Sequence, residues 1–543
     1  MTVFKNWNKE KKLVWLWILI LQIILLIPYF YGYLTSPDDK YFTGLIGQNG
    51  HDQAFYLGWG AKQAENGNFL FEDKYNGDVD RRLVFNPLWL LMGLAAKLFS
   101  TSVISVFHVE RVLTSIALLL VAYKIFSRFI VDQRWRIFAL VLVSISSGFG
   151  YFTLPLDTSI IHSTPDLWVI ESNIFLITLW EVLLPAGTTL FLIVMYWGYK
   201  TFFIDKRYAI QTGLLALLLG TVYPYAIISV YMILGACALF KMISEARMKE
   251  VIITYLKIFT ISVPVLLYNG YLVLTNDKLT VGQALYESPN LLQYIIGYGI
   301  VSIFAIAGII LTFKQQKKEY SFLLIWVIVT FIQIYLPLDL IPFQMQLIVG
   351  IQIPLVILAV YALSEIGNSF EEKVPKMKFL ILPSMILLLG FSSITNIYHY
   401  NNVFEKIKRH TLSDYIDVKT KEAIDWLDKN TEGNQIVLSS TPIAPYIPVL
   451  ANNRMYCSDY NAPTADFPEK SAKINWLFNK DVQKTDQEIV AFLSQNKIDY
   501  IFYDPGLHAL GGQIMKNRID NFPQIQSVFD NGSVSILKYN RSL

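Results

Sequence analysis

Cysteine and charged residues are both scarce in this sequence. Its 543 residues include two cysteines, Cys237 inside an apolar stretch and Cys457, which argues against a disulfide framework and against a cysteine metal site. Charged residues make up 16% of the chain, whereas ordinary soluble domains carry roughly 25%. The formal net charge is +3 and no long lysine- or arginine-rich run occurs, so we expect no nucleic-acid partner.

Apolar and aromatic residues take the place of the missing charge. Hydrophobic residues account for 54% of the sequence and aromatic residues for 15%, a balance typical of a polytopic membrane protein with tyrosine and tryptophan at the lipid interface. The first apolar segment, 13–30, follows several lysines. It is near the ~20 residues that cross a bilayer and lacks a small-residue cleavage site, so we expect a retained span rather than a signal peptide.

Eleven apolar segments alternate with connections of two kinds. Five connections carry clusters of basic residues, whereas the short connections between them carry one basic residue in total, Lys278. The positive-inside rule therefore predicts a cytoplasmic N-terminus and an extracytoplasmic C-terminus. The predicted spans lie near 13–30, 109–127, 137–154, 177–199, 209–223, 226–243, 252–273, 293–313, 320–337, 347–364 and 379–397.

Two longer regions interrupt the spans, and both are predicted to lie outside. The first is a loop at about 31–107, whose apolar segment 85–99 has 15 residues and contains a lysine; segments of this length favour an interfacial helix over a span. The second is the polar tail. We therefore divide the chain into a transmembrane α-helical domain, 1–400, and an extracytoplasmic α/β domain, 401–543, which we expect to be a lid or an acceptor-recognition domain.

Helical and strand patterns alternate along the tail. "VKTKEAIDWLDKN" and "DQEIVAFLSQNK" have helical spacing, "QIVLSS" and "IDYIFYD" are typical of buried strands, and "GSVSILKYN" predicts a hairpin or edge strand. The alternation indicates a single α/β unit.

Several stretches resemble a known family. "HDQAFYLGWGAKQAENGNFLFEDKY" resembles a first-loop motif with an acidic residue, a tyrosine-containing helix and a glycine, and "FNPLWLLMG" with "HVERVLTSIALLLVAYKIF" resembles an interfacial helix leading into an arginine-bearing second span. "TVYPYAIISVY" and the tail add to a likeness with the GT-C superfamily of membrane glycosyltransferases, which includes protein O-mannosyltransferases and oligosaccharyltransferases. Asn86 stands where mannosyltransferases often have histidine, and 342–355 lacks the expected arginines.

The resemblance implies a catalytic role for Asp52. A glycosyl transfer with inversion needs a carboxylate that takes the proton of the acceptor hydroxyl, and the resemblance places Asp52 in that role. The alternative is that Asp52 caps the helix that follows it. His51 is a weaker candidate for substrate binding.

Further acidic residues follow the first span and the third. Asp38 and Asp39 follow Pro37, a sequence typical of a turn, although paired carboxylates also suit Mg²⁺ or Mn²⁺. The predicted second external loop contains Asp166 and Glu171, together with Asp157 and His162; such residues either bind substrate or form a solvated loop. Glu171 and Glu181 would share a face if one continuous helix carried both.

Three residues near the predicted span ends are candidates for substrate binding. Arg111 is predicted either to extend to the interface or to bind a phosphate, since arginine forms bidentate contacts with phosphate oxygens. Tyr223 and Tyr225 flank Pro224 in an expected interfacial turn, with substrate contact as the alternative.

The resemblance thus implies a hexosyl- or pentosyltransferase that uses a polyprenyl-phosphate sugar donor at the outer membrane face. Its acceptor would be a glycan, a lipid or a protein. The alternatives are a transporter or flippase of lipid-linked glycans, which would have broken helices lining a central path, and a non-catalytic membrane assembly subunit.

Overall fold

The structure is a computed structural model, which describes residues 2–46, 50–78, 83–155, 164–245, 247–275, 287–337, 344–412, 414–458 and 466–541. Most of these residues are helical. In chain order the helices are α1 (Thr2–Leu34), α2 (Gly50–Tyr56), α3 (Lys62–Glu65), α4 (Pro87–Leu98), α5 (Val103–Phe129), α6 (Gln133–Ile145), α7 (Gly150–Thr153), α8 (Pro165–Trp168), α9 (Ile174–Trp180), α10 (Leu183–Phe203), α11 (Ala209–Val222), α12 (Ala226–Glu245), α13 (Met248–Thr275), α14 (Leu291–Lys314), α15 (Ser321–Gln333), α16 (Gln352–Lys373), α17 (Ile381–Ser392), α18 (Ile394–Lys408), α19 (Val418–Asn430), α20 (Tyr446–Ala451), α21 (Phe467–Phe478), α22 (Asp486–Gln495) and α23 (Pro505–Asp520).

Seven helical segments of the described residues are long and apolar enough to cross a membrane, or up to eight if α17 and α18, which meet at a bend of 51°, form one span. One of the seven is Gln133–Thr153, which contains both α6 and α7. All of them coincide with spans predicted from the sequence. The protein is therefore a polytopic α-helical membrane protein.

Three of the eleven predicted spans do not meet the same criteria. The segments near 209–223 and 320–337 form α11 and α15, with 14 and 13 residues; at 1.5 Å per residue each covers about 20 Å, less than the ~30 Å apolar layer of a bilayer. The segment near 177–199 is divided between α9 and α10. α11 and α15 are therefore too short to cross by themselves, whereas α10, with 21 residues, is long enough but is not among the helices that are also apolar enough to cross.

The predicted interfacial segment forms α4, an apolar helix of 12 residues. Asn86 accepts a hydrogen bond from the backbone N–H of Leu88 and Pro87 opens the helix, so the start is well capped. One face packs so closely that a Cβ on Gly93 would lie 2.4 Å from that of Ala64. The opposite face exposes large apolar side chains, which is the pattern of a helix that rests on a membrane surface. These side chains are Leu91, Leu94, Leu98 and, just beyond the helix, Phe99.

The tail contains five strands, β3 (Ile436–Leu438), β4 (Arg454–Met455), β5 (Tyr500–Tyr503), β6 (Ile525–Asp530) and β7 (Ser535–Tyr539). They form one sheet in the order β4-β3-β5-β7-β6. The central strand β3 pairs in parallel with β4 and β5, and β7 pairs antiparallel with β5 and β6. The predicted tail helices and buried strands are confirmed. "GSVSILKYN" forms β7, which makes with β6 the hairpin expected from the sequence, whereas the alternative of an edge strand is wrong because β7 lies between β5 and β6.

The first loop and the tail belong to the same compact unit. The chain forms two such units. The one that contains the loop and the tail, called the second unit here, comprises Pro28–Val109, Gly270–Ala284 and Val403–Leu543. The first unit comprises most of the membrane segments, in Met1–Ile27, Glu110–Asn269 and Leu285–Asn402. This grouping differs from the division at residue 400, which assigned the loop to the membrane domain. Its physical basis includes a two-stranded sheet, in which β1 (Lys40–Phe42) of the loop pairs antiparallel with β2 (Tyr415–Asp417) of the tail.

Candidate functional site

Asp52 lies in the first turn of α2 and is half-buried. The described helix already includes Gly50, so Asp52 lies inside the helix and the N-cap role considered from the sequence is wrong. A carboxylate in the first turn still interacts favourably with the positive end of the helix dipole. The side chain is thus not sealed inside the protein, and a role as general base stays a prediction.

The residues that follow Asp52 are held in place by hydrogen bonds and ring contacts. The Gln53 side-chain amide donates to the carbonyl of Ile46 at 2.7 Å, and the carbonyl of Ala54 accepts from the Tyr75 hydroxyl at 2.7 Å. The ring of Phe55 packs on that of Tyr75, with 4.8 Å between the centroids. Each step along the helix therefore has a fixed partner elsewhere in the second unit.

A buried ion cluster lies on the segment that carries Tyr75. The Glu72 carboxylate is 2.8 Å from the Lys74 ammonium and 2.7 Å from the Arg454 guanidinium. The side chains of Glu72 and Lys74 are 2% and 1% exposed, and Lys74 also donates to the carbonyl of Gly433 at 2.5 Å. Buried charges are stable only when such partners compensate for lost solvation, so this cluster joins the loop firmly to the tail.

Asp73 lies beside this cluster and is fully buried. Burial raises the pKa of its carboxyl to about 7, although the backbone N–H of Tyr75 and the charges of Arg454 and Lys470 act in the opposite direction. The Tyr75 N–H donates to the carboxylate at 2.8 Å. Asp73 therefore titrates near neutral pH, and its charge state affects the stability of the loop.

Asp166, a predicted substrate-binding residue, lies in α8 and is 1% exposed. Its Oδ2 accepts from the backbone N–H groups of Gly148 and Gly150, both at 3.1 Å. Burial raises the pKa of this carboxyl, while the hydroxyls of Thr395 and Thr164 lower it. Gly148 and Gly150 thus bind one oxygen of the Asp166 carboxylate at the break between α6 and α7, and a contact of Asp166 with substrate stays a prediction.

Neutral side chains form hydrogen bonds with backbone groups at the neighbouring helix breaks in the first unit. The Asn173 amide donates to Asn396 at 2.6 Å, and the Asn396 amide donates to the carbonyl of Ile145 at 2.8 Å. The Gln352 amide donates to the carbonyl of Ser146 at 3.0 Å, and its oxygen accepts from the backbone N–H of Ile174 at 2.9 Å. We call Asn173, Gln352 and Asn396 the amide cluster. It satisfies backbone groups that interrupted helices leave without intrahelical partners.

Glu171 and Glu181 do not share a continuous helix, so the shared-face prediction is wrong. Glu171 lies in a short 3₁₀ turn, Ile170–Ser172, and Asn173 then caps a new helix, α9, which ends at Trp180. Glu181 lies in the break that follows and is 8% exposed. The other two acidic-loop candidates, Asp157 and His162, lie outside the described residues.

Arg111 is 1% exposed, which is incompatible with extension to the interface. Its guanidinium donates to the carbonyl of Leu179 at 2.9 Å and, more weakly, to that of Leu25 at 3.5 Å. Leu179 lies in the last turn of α9, where carbonyls lack helical donors. Arg111 thus supplies a donor to the end of α9, and a contact with phosphate stays a prediction.

Tyr223 and Tyr225 lie in a turn between α11 and α12, as expected. The turn is closed by backbone hydrogen bonds from Ala226 to Tyr223 and from Ile227 to Pro224, both at 3.3 Å. Tyr223 is buried against Gly187, whereas Tyr225 is 36% exposed. Contact with substrate stays a prediction for both.

The predicted metal ligands Asp38 and Asp39 are exposed in a turn, in which the backbone N–H of Lys40 donates to the carbonyl of Pro37 at 3.0 Å. Among the described residues, no group of three or more histidine, cysteine, aspartate or glutamate side chains could hold a metal ion. A role of the two carboxylates as ligands of Mg²⁺ or Mn²⁺ stays a prediction. His51 lies in α2, and its side chain is outside the described part of the chain.

Sequence reasoning missed the contributions of the tail to the first loop. Tyr75, Glu72 and Lys74 are inside the quoted loop motif, yet their partners Arg454 and Pro445 lie more than 350 residues away. A charged triplet inside an aromatic stretch, "FEDKY", was the available signal. The distant partners could not be read from local spacing.

The fold was compared with known proteins. No protein-family model matches the sequence, and no curated protein matches it. Among solved structures, the archaeal oligosaccharyltransferase AglB from Archaeoglobus fulgidus, in complex with an inhibitory peptide and a dolichol-phosphate, aligns with a TM-score of 0.51 and 12% identity, over 96% of this chain and 74% of that one. Arabinofuranosyltransferase AftD from Mycobacteria aligns with a TM-score of 0.56 and 12% identity, over 96% of this chain and 40% of that one.

A third structure matches over nearly the whole length of both proteins. ArnT from Cupriavidus metallidurans, in the apo state, aligns with a TM-score of 0.51 and 9% identity, over 96% of this chain and 97% of that one. All three are GT-C glycosyltransferases. This chain has the GT-C fold.

The match with the GT-C fold extends over nearly the whole chain. The full-length match with ArnT means that the first loop, the spans and the tail are all parts of the GT-C fold. The resemblance seen in the sequence is thereby confirmed at the level of fold, even though identity is only 9–12%.

Proposed function

We propose that this protein is an integral membrane glycosyltransferase that transfers a sugar from a polyprenyl-phosphate donor to an acceptor at the extracytoplasmic face. The acceptor would be a glycan, a lipid or a protein. The fold supports this class, because the solved structures that it resembles include an oligosaccharyltransferase and an arabinofuranosyltransferase. The dolichol-phosphate bound to AglB supports a lipid-phosphate carrier for the donor.

The observation that carries the proposal is the setting of Asp52. Its half-buried carboxylate lies on a short helix whose next three residues are fixed by Ile46 and Tyr75. In the proposed reaction, the acceptor oxygen bonds to the anomeric carbon while the bond from that carbon to the phosphate oxygen breaks. The acceptor proton passes to Asp52, and the electron pair leaves with the lipid phosphate, which needs no proton.

The test compares two carboxylate variants of the full-length protein in nanodiscs. Asp52→Asn keeps the shape of the side chain but cannot accept the proton, so we expect turnover to fall by about 10²–10⁴-fold. Asp481→Asn alters an exposed carboxylate in a tail turn and serves as the matched control with wild-type turnover. The readout is the release of undecaprenyl phosphate from a panel of undecaprenyl-phosphate monosaccharides, with extracted cell-surface glycans as acceptors. Near-normal turnover by Asp52→Asn would remove Asp52 from the chemistry.

The orientation of the chain is part of the proposal. Exposed positions in the loop and the tail, Asn66 and Ala472, can be changed to cysteine, since the native Cys237 and Cys457 are buried. A membrane-impermeant maleimide added to intact cells should label both positions. Labelling only after permeabilisation would overturn the extracytoplasmic assignment.

Transport of lipid-linked glycans is the alternative. A transporter uses broken helices to line a path across the membrane. Here the amide cluster and Asp166 form hydrogen bonds at the helix breaks of the first unit. These bonds hold the broken helices in one arrangement, which favours an enzyme over a transporter that alternates between two arrangements.

A further inference from the structure

A segment of the first loop continues the sheet of the tail. The carbonyl of Lys74 accepts from the backbone N–H of Met455 in β4 at 2.8 Å, and Asn76 forms an antiparallel bridge with Cys457. Since β4 is otherwise the edge of the sheet, residues 74–76 cover part of that edge. The loop is therefore built into the tail through its backbone as well as through the ion cluster.

Tyr75 lies in the middle of this segment and connects it to two helices. Its side chain is 0% exposed, and its hydroxyl lies 2.7 Å from the carbonyl of Ala54 in α2 and 3.3 Å from that of Pro445, directly before α20. Ala54 is two residues beyond Asp52. A single hydroxyl thus connects the helix of the proposed base with a helix of the tail.

The contact between these elements is too close for any residue but glycine at position 58. A Cβ on Gly58 would lie 2.3 Å from the Tyr75 hydroxyl and 3.0 Å from both Pro448 and the backbone nitrogen of Val449. Gly58 belongs to a π-helical turn, Leu57–Ala61, that continues α2. Such widened turns are rare and often occur at functional sites.

We propose that the tail positions the helix of Asp52 through Tyr75, which makes Tyr75 a positioning residue for the transfer reaction. The tail holds the sheet-edge segment, the segment holds Tyr75, and Tyr75 sets the rotation of α2 about its axis. The direction of the Asp52 carboxylate follows from that rotation. The catalytic consequence depends on the proposed role of Asp52, whereas the mechanical connection does not.

The mechanical connection is tested by hydrogen exchange on the full-length protein in nanodiscs. Tyr75→Phe removes the hydroxyl and keeps the ring. Tyr415→Phe is the matched control, because its hydroxyl also donates to a buried carbonyl in the same unit, that of Gly32 at 3.0 Å, away from α2. We expect exchange of amides 53–58 to become several-fold faster in Tyr75→Phe alone. Equal exchange of these amides in both variants would overturn the proposal.

The catalytic consequence is tested by measuring kcat and KM of Tyr75→Phe separately. With the panel of undecaprenyl-phosphate monosaccharides, Tyr75→Phe should lower kcat on the order of 10- to 100-fold, the cost of a misdirected catalytic group, and change KM less than twofold. Tyr415→Phe should stay near wild type. An unchanged kcat for Tyr75→Phe would overturn the positioning role.

The two proposals fail in different ways. If Asp52→Asn keeps its turnover while Tyr75→Phe still loosens amides 53–58, the role of Asp52 is wrong and the connection through Tyr75 stands. If Asp52→Asn loses turnover and Tyr75→Phe leaves those amides unchanged, the role of Asp52 stands and the connection is wrong.

Discussion

The two units of the molecule use different kinds of buried polar group to do similar work. In the second unit, Glu72, Lys74 and Arg454 form ion pairs between the loop and the tail. In the first unit, the amide cluster joins interrupted helices with neutral hydrogen bonds. Neutral amides avoid the cost of ionised groups near an apolar membrane, and two buried ionisable side chains of the first unit, Arg111 and Asp166, bind backbone groups. In the second unit, the buried charges of the ion cluster compensate one another.

The largest expected effect comes from breaking the ion cluster. Glu72→Gln leaves two buried cations without their carboxylate, so the free energy of unfolding of the second unit should fall by about 3–5 kcal/mol. Hydrogen exchange of the slowest amides in β3 and β5 measures this change. The control Glu469→Gln, which breaks an exposed pair with Lys473, should leave the free energy of unfolding nearly unchanged, because solvent screens exposed pairs. Similar losses in both variants would contradict the assignment of Glu72 as a buried link.

A smaller loss should follow from breaking the amide cluster. Gln352→Leu replaces the amide by an apolar side chain of similar size, so that the N–H of Ile174 and the carbonyl of Ser146 lose this partner. An unmade buried hydrogen bond costs about 1–3 kcal/mol. Thermal unfolding in detergent should therefore show a lower midpoint for the first unit. An unchanged midpoint would mean that water or another side chain replaces the glutamine.

The charge of Asp73 should make the second unit depend on pH. Its carboxyl has a pKa of about 7 when folded, against an ordinary value of 3.8, so its contribution to stability is complete below pH 3.8 and is lost as the pH rises through 7. Asp73→Asn removes this dependence. At pH 8 the variant should be the more stable by at least about 1 kcal/mol, and the gain should shrink toward pH 4. An equal difference at both pH values, measured by thermal unfolding, would contradict the assignment.

The smallest expected change in stability comes from substituting alanine for a glycine with space around it, and a crowded glycine serves as the contrast. A Cβ at Gly270, inside α13, would meet nothing within 4 Å, so Gly270→Ala should stabilise the helix by about 0.5–1 kcal/mol. At Gly308 a Cβ would lie 2.0 Å from the carbonyl oxygen of Leu358, so Gly308→Ala should destabilise the first unit. A shift of the same sign in both thermal midpoints would contradict the helix packing described here.

The candidate site was only partly readable from the sequence. Asp52 was singled out because it precedes a helical, tyrosine-containing stretch, and the resemblance implied its catalytic role, which stays a prediction. Its exact place inside α2 was not found, since caps and first-turn residues share the same composition. Arg111 was expected either to extend to the interface or to bind a phosphate, because it lies near the start of an apolar segment; in the structure it is buried and donates to the carbonyl of Leu179 at the end of α9.

The sequence by itself determined the class of the protein and the type of most elements. Long apolar segments must leave water, and they do so as helices that satisfy their own backbone groups, while the alternating pattern of the tail led directly to its helices and strands. Only the tertiary structure decided that the loop belongs with the tail and that α9 breaks from α10. Both outcomes depend on contacts between residues far apart in sequence, such as Glu72 with Arg454 and Arg111 with Leu179, and local periodicity carries no information about such partners.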